Sequence, residues 1–409
     1  MFYGWYIVGS CCLISLYISG SINLGFTAVF EPIVKEFNWS YTQVSFATSL
    51  RGVEVGLLAP VAGMLMDRWG ARCVVFCGAL LSGLGLVLLS HIHTLTMFYA
   101  CFILIAAGAS AASSTLLMAT VANWFHKNMG LAMGIAASGV SLGGILIPLI
   151  TELTDTFGWR QAMLITGLGM WVVPVPLSLF LRHKPEQYGY LPDGEKRKSA
   201  FNPAHTFPLK SEGVKVGAKE ALASRSFWII AIAFLFQMLP LSAVVTHIMP
   251  YLSTIGIERS TSKFIAAALP MMTIIGRVGF GWLGDRIDKK TVATLAFALT
   301  AFGLFIFGLL STDRAWLIGV FIIFYAIGWG GGVPILNGLL KEYFGRERLS
   351  TLAGLTSGVM MLGMIAGAPL AGWVFDTWGR YQPTWFSLAG LASITTILFY
   401  VCLKNASQR

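Results

Sequence analysis

The sequence predicts an all-helical membrane protein with twelve spanning helices arranged as two similar six-helix halves. Three observations predict this fold class: the composition, the long uncharged apolar runs and an internal duplication. The chain has 409 residues, of which 56% are hydrophobic and 11% are charged, whereas soluble domains have about 25% charged residues. Continuous apolar runs of about 20 residues suit membrane-spanning helices, because barrel strands alternate in polarity instead.

Twelve apolar runs follow one another along the chain. They cover about residues 5–30, 42–66, 73–91, 97–122, 130–152, 160–181, 227–251, 262–283, 291–311, 316–338, 351–374 and 383–403. The long polar stretch between the sixth and seventh runs contains Lys196-Arg197-Lys198 and has the composition of a linker. We therefore expect an N-terminal bundle at 1–181, a cytoplasmic linker at 182–225 and a C-terminal bundle at 226–409.

The positive charges predict the orientation in the membrane. An even number of spans places both termini on one side, and most of the 28 Lys and Arg residues then fall on that side. Because positive residues accumulate in cytoplasmic loops, we expect both termini in the cytoplasm. The short loops favour a bacterial inner membrane. This topology explains the net charge of +10, so the charge does not require a nucleic-acid partner. We expect the lipid bilayer to be the partner of the chain and the monomer to be the functional unit.

The two halves of the chain share sequence patterns at a nearly constant offset. The segment Gly63–Arg72 after the second run resembles Gly281–Lys290 after the eighth, and Asp155-Thr-Phe-Gly158 resembles Asp376-Thr-Trp-Gly379 about 220 residues later. Parallel repeats related by an axis along the membrane normal place a binding site near the middle of the membrane, between the halves.

Several motifs give the chain a family resemblance. The pattern Gly63-x-x-x-Asp67-Arg68-x-Gly70-x-Arg72 resembles the signature loop of the major facilitator superfamily. His247-x-x-Pro250-Tyr251 and Gly276-Arg277-x-x-x-Gly281 are similar to patterns of its monocarboxylate and oxalate–formate branch. The resemblance covers essentially the whole chain and implies the major facilitator fold and secondary transport by alternating access.

Arg277 is the first candidate for substrate binding. It lies within the eighth span, where a charge costs several kcal/mol unless it meets a partner or a water-lined cavity. A guanidinium can hold a carboxylate through two parallel hydrogen bonds, and the resemblance implies this role. The alternatives are a structural ion pair, or a side chain that reaches back to the cytoplasmic surface.

Three further residues are candidates for proton coupling. Arg51 and Glu54 are three positions apart within the second span and share a helix face, so they form either a proton site or a static buried pair. His247 ends the seventh span. Because imidazole titrates near physiological pH, His247 could relay a proton or bind the substrate, or it could be an ordinary interfacial residue.

Charged residues in the two repeated loops are candidates for gating. The resemblance implies that Asp67 caps a neighbouring helix or pairs with an arginine across the two halves. The tendency of positive residues to lie in cytoplasmic loops explains the basic residues of these loops, but it does not explain the acidic residues. The predicted gating residues are Asp67, Arg68, Arg72, Asp285 and Arg286.

Uncharged polar residues within the spans could line the path or join helices. The candidates are Asn23, Ser114, Thr273, Tyr325 and Asn337. The chain differs from the relatives at three places. The fourth span reads Ser113-Ser114-Thr115 where the branch often has a tyrosine, the first span has no lysine, and Thr273 stands one turn before Arg277 where relatives have an acid.

The sequence therefore predicts a secondary transporter of a small organic monocarboxylate, similar to lactate or pyruvate, together with a proton. The alternatives are an organic-anion exchanger of the oxalate–formate type, a carrier of a bulkier aromatic acid, and a sensor that no longer transports. An exchanger of dicarboxylates would need a second cation, yet no Lys or Arg occurs between Arg348 and Arg380. We expect no enzyme activity, cofactor or metal, because no nucleophile–base set, nucleotide motif or metal-ligand spacing is present.

Overall fold

A computed structural model of the chain describes residues 2–53, 57–125, 128–182, 185, 224–284, 286–344 and 349–403. Most of these residues are helical. In the N-terminal half, the first span is Tyr3–Phe37, the second consists of Tyr41–Val53 and the start of Ala59–Leu89, and the third is the rest of Ala59–Leu89. The fourth span consists of Leu95–Ala111 and Ser114–Ala122, the fifth is Met129–Phe157, and the sixth consists of Trp159–Val172 and Pro174–Ser178. The six spans of the C-terminal half are Arg225–Thr254, Arg259–Gly284, Lys289–Gly308, Leu317–Phe344, Leu349–Trp378 and Gln382–Cys402.

Ten helical stretches of the described residues are long and apolar enough to cross a membrane. The other two predicted spans are also helical. Leu317–Gly332 is a shorter apolar stretch within the tenth span, and the second span is helical in its described residues on both sides of 54–56. We call the end of the molecule that holds residues 182 and 224 the linker side, and the opposite end the far side.

The connection between the second and third spans differs from the prediction. We expected a loop between residues 66 and 73, but the stretch Ala59–Leu89 consists of two helices that meet in a sharp kink at Gly70, which is not helical. Gly70 has φ 81° and ψ 158°, a conformation that residues with a Cβ rarely adopt. A single glycine therefore turns the chain where a longer loop was expected.

The first span contains a π-helical turn at Ser19–Leu24. This turn lies against the fifth span at a pair of glycines. A Cβ on Gly20 would lie 2.5 Å from the carbonyl oxygen of Gly143, and a Cβ on Gly143 would lie 2.7 Å from the amide nitrogen of Gly20. In lipid, where the hydrophobic effect does not join helices, small residues permit such close packing.

The two halves repeat this contact between their first and fifth helices. The Ser19 hydroxyl donates to the carbonyl of Val140 at 2.9 Å, and in the C-terminal half the Ser242 hydroxyl donates to the carbonyl of Met364 at 2.8 Å. The two contacts join the corresponding pairs of helices, the first with the fifth and the seventh with the eleventh. The internal duplication therefore extends from the fifth and eleventh spans to their contacts with the first and seventh spans, for which the sequence showed no repeat.

The duplicated Asp-Thr-aromatic-Gly segments have the same local geometry. Each ends its helix at a glycine with positive φ, 82° at Gly158 and 66° at Gly379. Glycine is favoured at both positions because residues with a Cβ rarely adopt a positive φ. The acid of each segment, Asp155 or Asp376, lies one turn before the glycine, near the far side.

Candidate functional site

The two halves are joined by hydrogen bonds that begin at the far side and continue to the level of Arg277. Near the far-side surface, Asp376 accepts hydrogen bonds from Tyr41 and Thr42. Deeper along the same pair of helices, the Ser49 hydroxyl donates to the carbonyl of Ile365 at 2.5 Å. The central path is therefore closed toward the far side in this structure.

Arg277 lies where the eighth span meets the fifth. Its Nη1 donates to the carbonyl oxygen of Ala137 at 3.3 Å, which joins the two halves. Its Nε is buried and has no hydrogen-bond partner within the described residues. No carboxylate of the described residues forms an ion pair with this guanidinium. Arg277 is therefore a half-buried cation with unused donor capacity where the two halves meet.

Thr273, one turn from Arg277 toward the far side, forms a second bridge between the halves. Its Oγ1 lies 2.9 Å from the Ser141 Oγ and donates to the Pro270 carbonyl at 2.6 Å. Thr273 is 0% exposed and Ser141 is 1% exposed. The sequence did not indicate Ser141, because serines are common in membrane helices.

His247 is enclosed between the halves rather than placed at a membrane edge. It is 0% exposed. Its Nδ1 lies 2.9 Å from the Tyr381 hydroxyl, and its Nε2 lies 2.9 Å from the Ser45 Oγ and 3.0 Å from the Ala368 carbonyl oxygen. The surface-residue alternative for His247 is therefore wrong, because both ring nitrogens are engaged inside a polar cluster on the far side.

The uncharged candidates occupy different environments. Asn23 lies half-buried in the π-helical turn of the first span. Ser114 is exposed at the start of the helix Ser114–Ala122, where the fourth span is broken. Tyr325 is 1% exposed and stacks on Phe321 with ring centroids 5.3 Å apart, so it lies in the core of the C-terminal half and not on an open surface. The side chain of Asn337 lies outside the described residues.

The charged candidates are only partly described. Glu54 and Asp285, and the side chains of Arg51 and Asp67, lie outside the described residues. Arg68 and Arg72 are exposed on either side of the kink at Gly70. The exposed Arg286 guanidinium lies 4.0 Å from the ring centroid of Trp282. The basic residues of both repeated loops therefore lie at the linker side, away from Arg277.

Trp329 is a candidate that the sequence analysis did not name. Trp329 lies on the tenth span between Ile327, which contacts Gly276 of the eighth span, and Gly331, which contacts Phe280 of the eighth span. Because Gly276 and Phe280 flank Arg277, Trp329 lies near the level of Arg277. Its indole N–H is buried and has no partner within the described residues. A buried Trp N–H usually finds an acceptor, so Trp329 offers a free donor near the candidate site.

A small apolar cavity lies between the halves on the far side of Thr273. Its lining includes Thr27 of the first span, Ile147 of the fifth, Val244 of the seventh and Pro270 of the eighth. The path therefore changes from polar groups around Arg277 to an apolar lining toward the closed end.

The chain matches the Major Facilitator Superfamily over residues 10–368, with a second match over residues 244–407. It therefore belongs to this superfamily, and it is a multi-pass membrane transporter rather than an enzyme. The predictions of superfamily and fold class are confirmed.

Among relatives, the chain is 27% identical over 429 residues to "Monocarboxylate transporter 12-B" of Danio rerio, covering 100% of this chain and 88% of the relative. It is 24% identical over 414 residues to "Monocarboxylate transporter 2" of Homo sapiens, covering 99% and 86%.

Two solved structures have the same fold. A D-xylose–proton symporter aligns with TM-score 0.77 and 13% identity, covering 100% of this chain and 99% of that one. A bacterial homologue of the human lysosomal transporter Spinster, in an inward-facing and unoccupied conformation, aligns with TM-score 0.69 and 16% identity, covering 98% and 95%. At these identities the likeness concerns the fold alone.

Proposed function

We propose that this transporter carries a small organic monocarboxylate, similar to lactate or pyruvate, together with a proton by alternating access. The observation that supports this most directly is Arg277, a half-buried guanidinium with a free Nε and no acid partner among the described residues. A second line of support is the full-length similarity to proteins named monocarboxylate transporters.

The charge balance at Arg277 favours a substrate with one negative charge. A cation within a membrane protein is costly unless an anion or water compensates it. A carboxylate that forms two parallel hydrogen bonds with the guanidinium supplies that charge and also satisfies the free Nε. The groups that we propose for the rest of a small acid are the hydroxyls of Thr273 and Ser141, one turn from Arg277 and Ala137 on their helices, and the indole N–H of Trp329.

We propose that one of three residues is the site of proton coupling. Arg51 and Glu54 of the second span, and His247, are the residues that the sequence offers for coupling. His247 contacts groups from both halves, so a change in its charge would act on the contact between them. We also propose that the linker side faces the cytoplasm of a bacterial cell, that this is the inner membrane and that the monomer is the functional unit.

Uptake into proteoliposomes tests the substrate assignment. We expect labelled lactate and pyruvate to enter faster when an inward proton gradient is imposed. Arg277→Gln should weaken the apparent affinity by about 30-fold or more, since loss of one partner of a buried charge pair costs about 2 kcal/mol or more. Arg314→Gln, at an exposed position on the far side, serves as the control and should transport normally.

Three outcomes would contradict the proposal. Unchanged lactate affinity in Arg277→Gln would remove Arg277 from the binding site. Uptake that requires an anion inside the vesicles and ignores the proton gradient would favour the exchanger of the oxalate–formate type. Saturation by aromatic acids, with no response to lactate, would instead favour the carrier of a bulkier acid.

A further inference from the structure

We propose that the duplicated segments Asp155–Gly158 and Asp376–Gly379 form two latches that hold the far side closed and that release when the path opens toward that side. Each latch joins the end of a helix in one half to the beginning of a helix in the other half. The proposal concerns the transport cycle and does not depend on the identity of the substrate.

The first latch is formed by Asp376 at the end of the eleventh span. Its carboxylate accepts hydrogen bonds from the backbone N–H groups of Tyr41 at 2.9 Å and Thr42 at 2.8 Å, and from the Thr42 hydroxyl at 2.5 Å. These groups form the first turn of the helix Tyr41–Val53. A carboxylate is stabilised at a helix N-terminus by the free N–H groups and by the helix dipole. An acid of the C-terminal half thus caps a helix of the N-terminal half.

The capped helix does not depend on this acid for its formation. The Ser40 hydroxyl accepts a hydrogen bond from the Gln43 N–H at 3.1 Å, and the Gln43 side chain accepts one from the Ser40 N–H at 2.9 Å. This reciprocal pair is a capping box, which satisfies the start of a helix from within its own chain segment. Asp376 can therefore leave the helix end without unfolding it.

A glycine permits the close approach that the first latch needs. Gly372 lies one turn before Asp376, and a Cβ placed on it would lie 2.8 Å from the Thr42 amide nitrogen and from the Tyr41 carbonyl group. These contacts are with backbone atoms, which cannot move aside independently. The close contact between Gly372 and the start of the helix Tyr41–Val53 is thus a second, independent feature that supports the closed state.

The second latch joins the corresponding helices in the opposite direction. Asp155 ends the fifth span and accepts a hydrogen bond at 2.6 Å from Nε of Arg259, the first residue of the eighth span. Arg259 also donates through Nη2 to the Ala28 carbonyl at 2.5 Å. One turn further along the same helices, Lys263 pairs with Glu152 at 2.6 Å.

The chemistry of both latches suits reversible opening. The side chain of Asp155 is 41% exposed, and Asp376 is also exposed. Water can therefore replace the lost partners when the halves separate, and exposed ion pairs are individually weak. Two such contacts, related by the pseudo-symmetry, bias the closed state without locking it.

A third acid on the far side provides a matched control. Glu36 accepts hydrogen bonds from Trp159 at 2.5 Å and from two nitrogens of Arg160 at 3.1 and 2.7 Å. It resembles Asp155 in exposure, and it accepts as many hydrogen bonds as Asp376, but its partners belong to its own half. Neutralising Glu36 should therefore leave the contact between the halves intact.

Labelling of a buried reporter cysteine tests the proposal in the full chain. In a background with the six native cysteines replaced, Val244→Cys places a thiol in the cavity between the halves, where Val244 is 0% exposed. A membrane-impermeant maleimide added to the far side reaches this thiol only when that side opens. We expect Asp376→Asn and Asp155→Asn each to raise the labelling rate by up to about fivefold, because the neutral amide loses the charge that stabilises the contact with the helix N-terminus or with the Arg259 guanidinium, and Glu36→Gln to leave the rate unchanged.

Two further variants make the outcome decisive. Gly372→Ala should raise the labelling rate while keeping every charge, and the exchange Asp155→Arg with Arg259→Asp should restore slow labelling in part, because it re-forms the ion pair but loses the hydrogen bond to the Ala28 carbonyl. All variants are compared as monodisperse protein in size-exclusion chromatography. Unchanged labelling in Asp376→Asn, Asp155→Asn and Gly372→Ala would overturn the latches, as would an equal rise in Glu36→Gln.

Discussion

At the scale of single residues, Arg277 and its surroundings show what a sequence can and cannot predict. A charge in an apolar span is visible in the sequence, and the structure places this one where the two halves meet. Its neighbours across the interface, the Ala137 carbonyl and the Ser141 hydroxyl, could not be named, because a carbonyl carries no sequence signal and serines are common in membrane helices.

The hydroxyl pair of Thr273 and Ser141 gives a prediction at this scale. Each residue is buried and supplies the other's hydrogen bond across the halves. Ser141→Ala and Thr273→Val should each lower the free energy of unfolding by about 1 kcal/mol, whereas the double variant should lower it by less than the sum, because removing both partners leaves no unsatisfied group. Melting temperatures in detergent measure this coupling, and strictly additive losses would show that the pair does not act as a unit.

At the scale of helices, the apolar runs predicted position and type well, since hydrophobic length is set directly by the bilayer. The interruptions within the runs were not predicted. The π-helical turn at Ser19–Leu24 and the break before Ser114 depend on packing against neighbouring spans. Gly70 is present in the sequence motif, but the sequence did not show that the helices on both sides continue up to this glycine, so that a kink stands where a loop was expected.

The glycine contact between the first and fifth spans gives a prediction at the scale of helices. Gly143→Ala would press a methyl group against the backbone of Gly20, and such overpacking costs about 1–3 kcal/mol. We expect a lower melting temperature and reduced transport. Gly134→Ala on the same helix, where a Cβ meets nothing within 4 Å, is the control and should keep the wild-type melting temperature. Equal behaviour of the two variants would contradict the close-packing argument.

At the scale of the whole molecule, the duplication found in two loops extends to the hydrogen bonds between helices and to both far-side contacts. Sequence offsets could reveal the repeated Asp-Thr-aromatic-Gly segments but not their partners. Asp155 binds a side chain and Asp376 binds a helix end, so the two copies use different chemistry at related positions. Each half therefore contacts the other through an acid at the corresponding helix end, and separation of the halves at the far side requires both contacts to break.

A reversible cross-link tests whether transport requires that separation. The Thr42 Oγ1 and Asp376 Oδ2 atoms are 2.5 Å apart across the halves, so a disulfide between Thr42→Cys and Asp376→Cys, in the cysteine-free background, should hold the far side closed. Because alternating access needs both sides to open in turn, we expect uptake to fall to background on oxidation and to recover on reduction. The matched pair Glu36→Cys with Arg160→Cys lies within one half and should transport in both states. Full uptake with the Thr42–Asp376 link closed would mean that the halves do not part there, and the substrate would have to enter by another route.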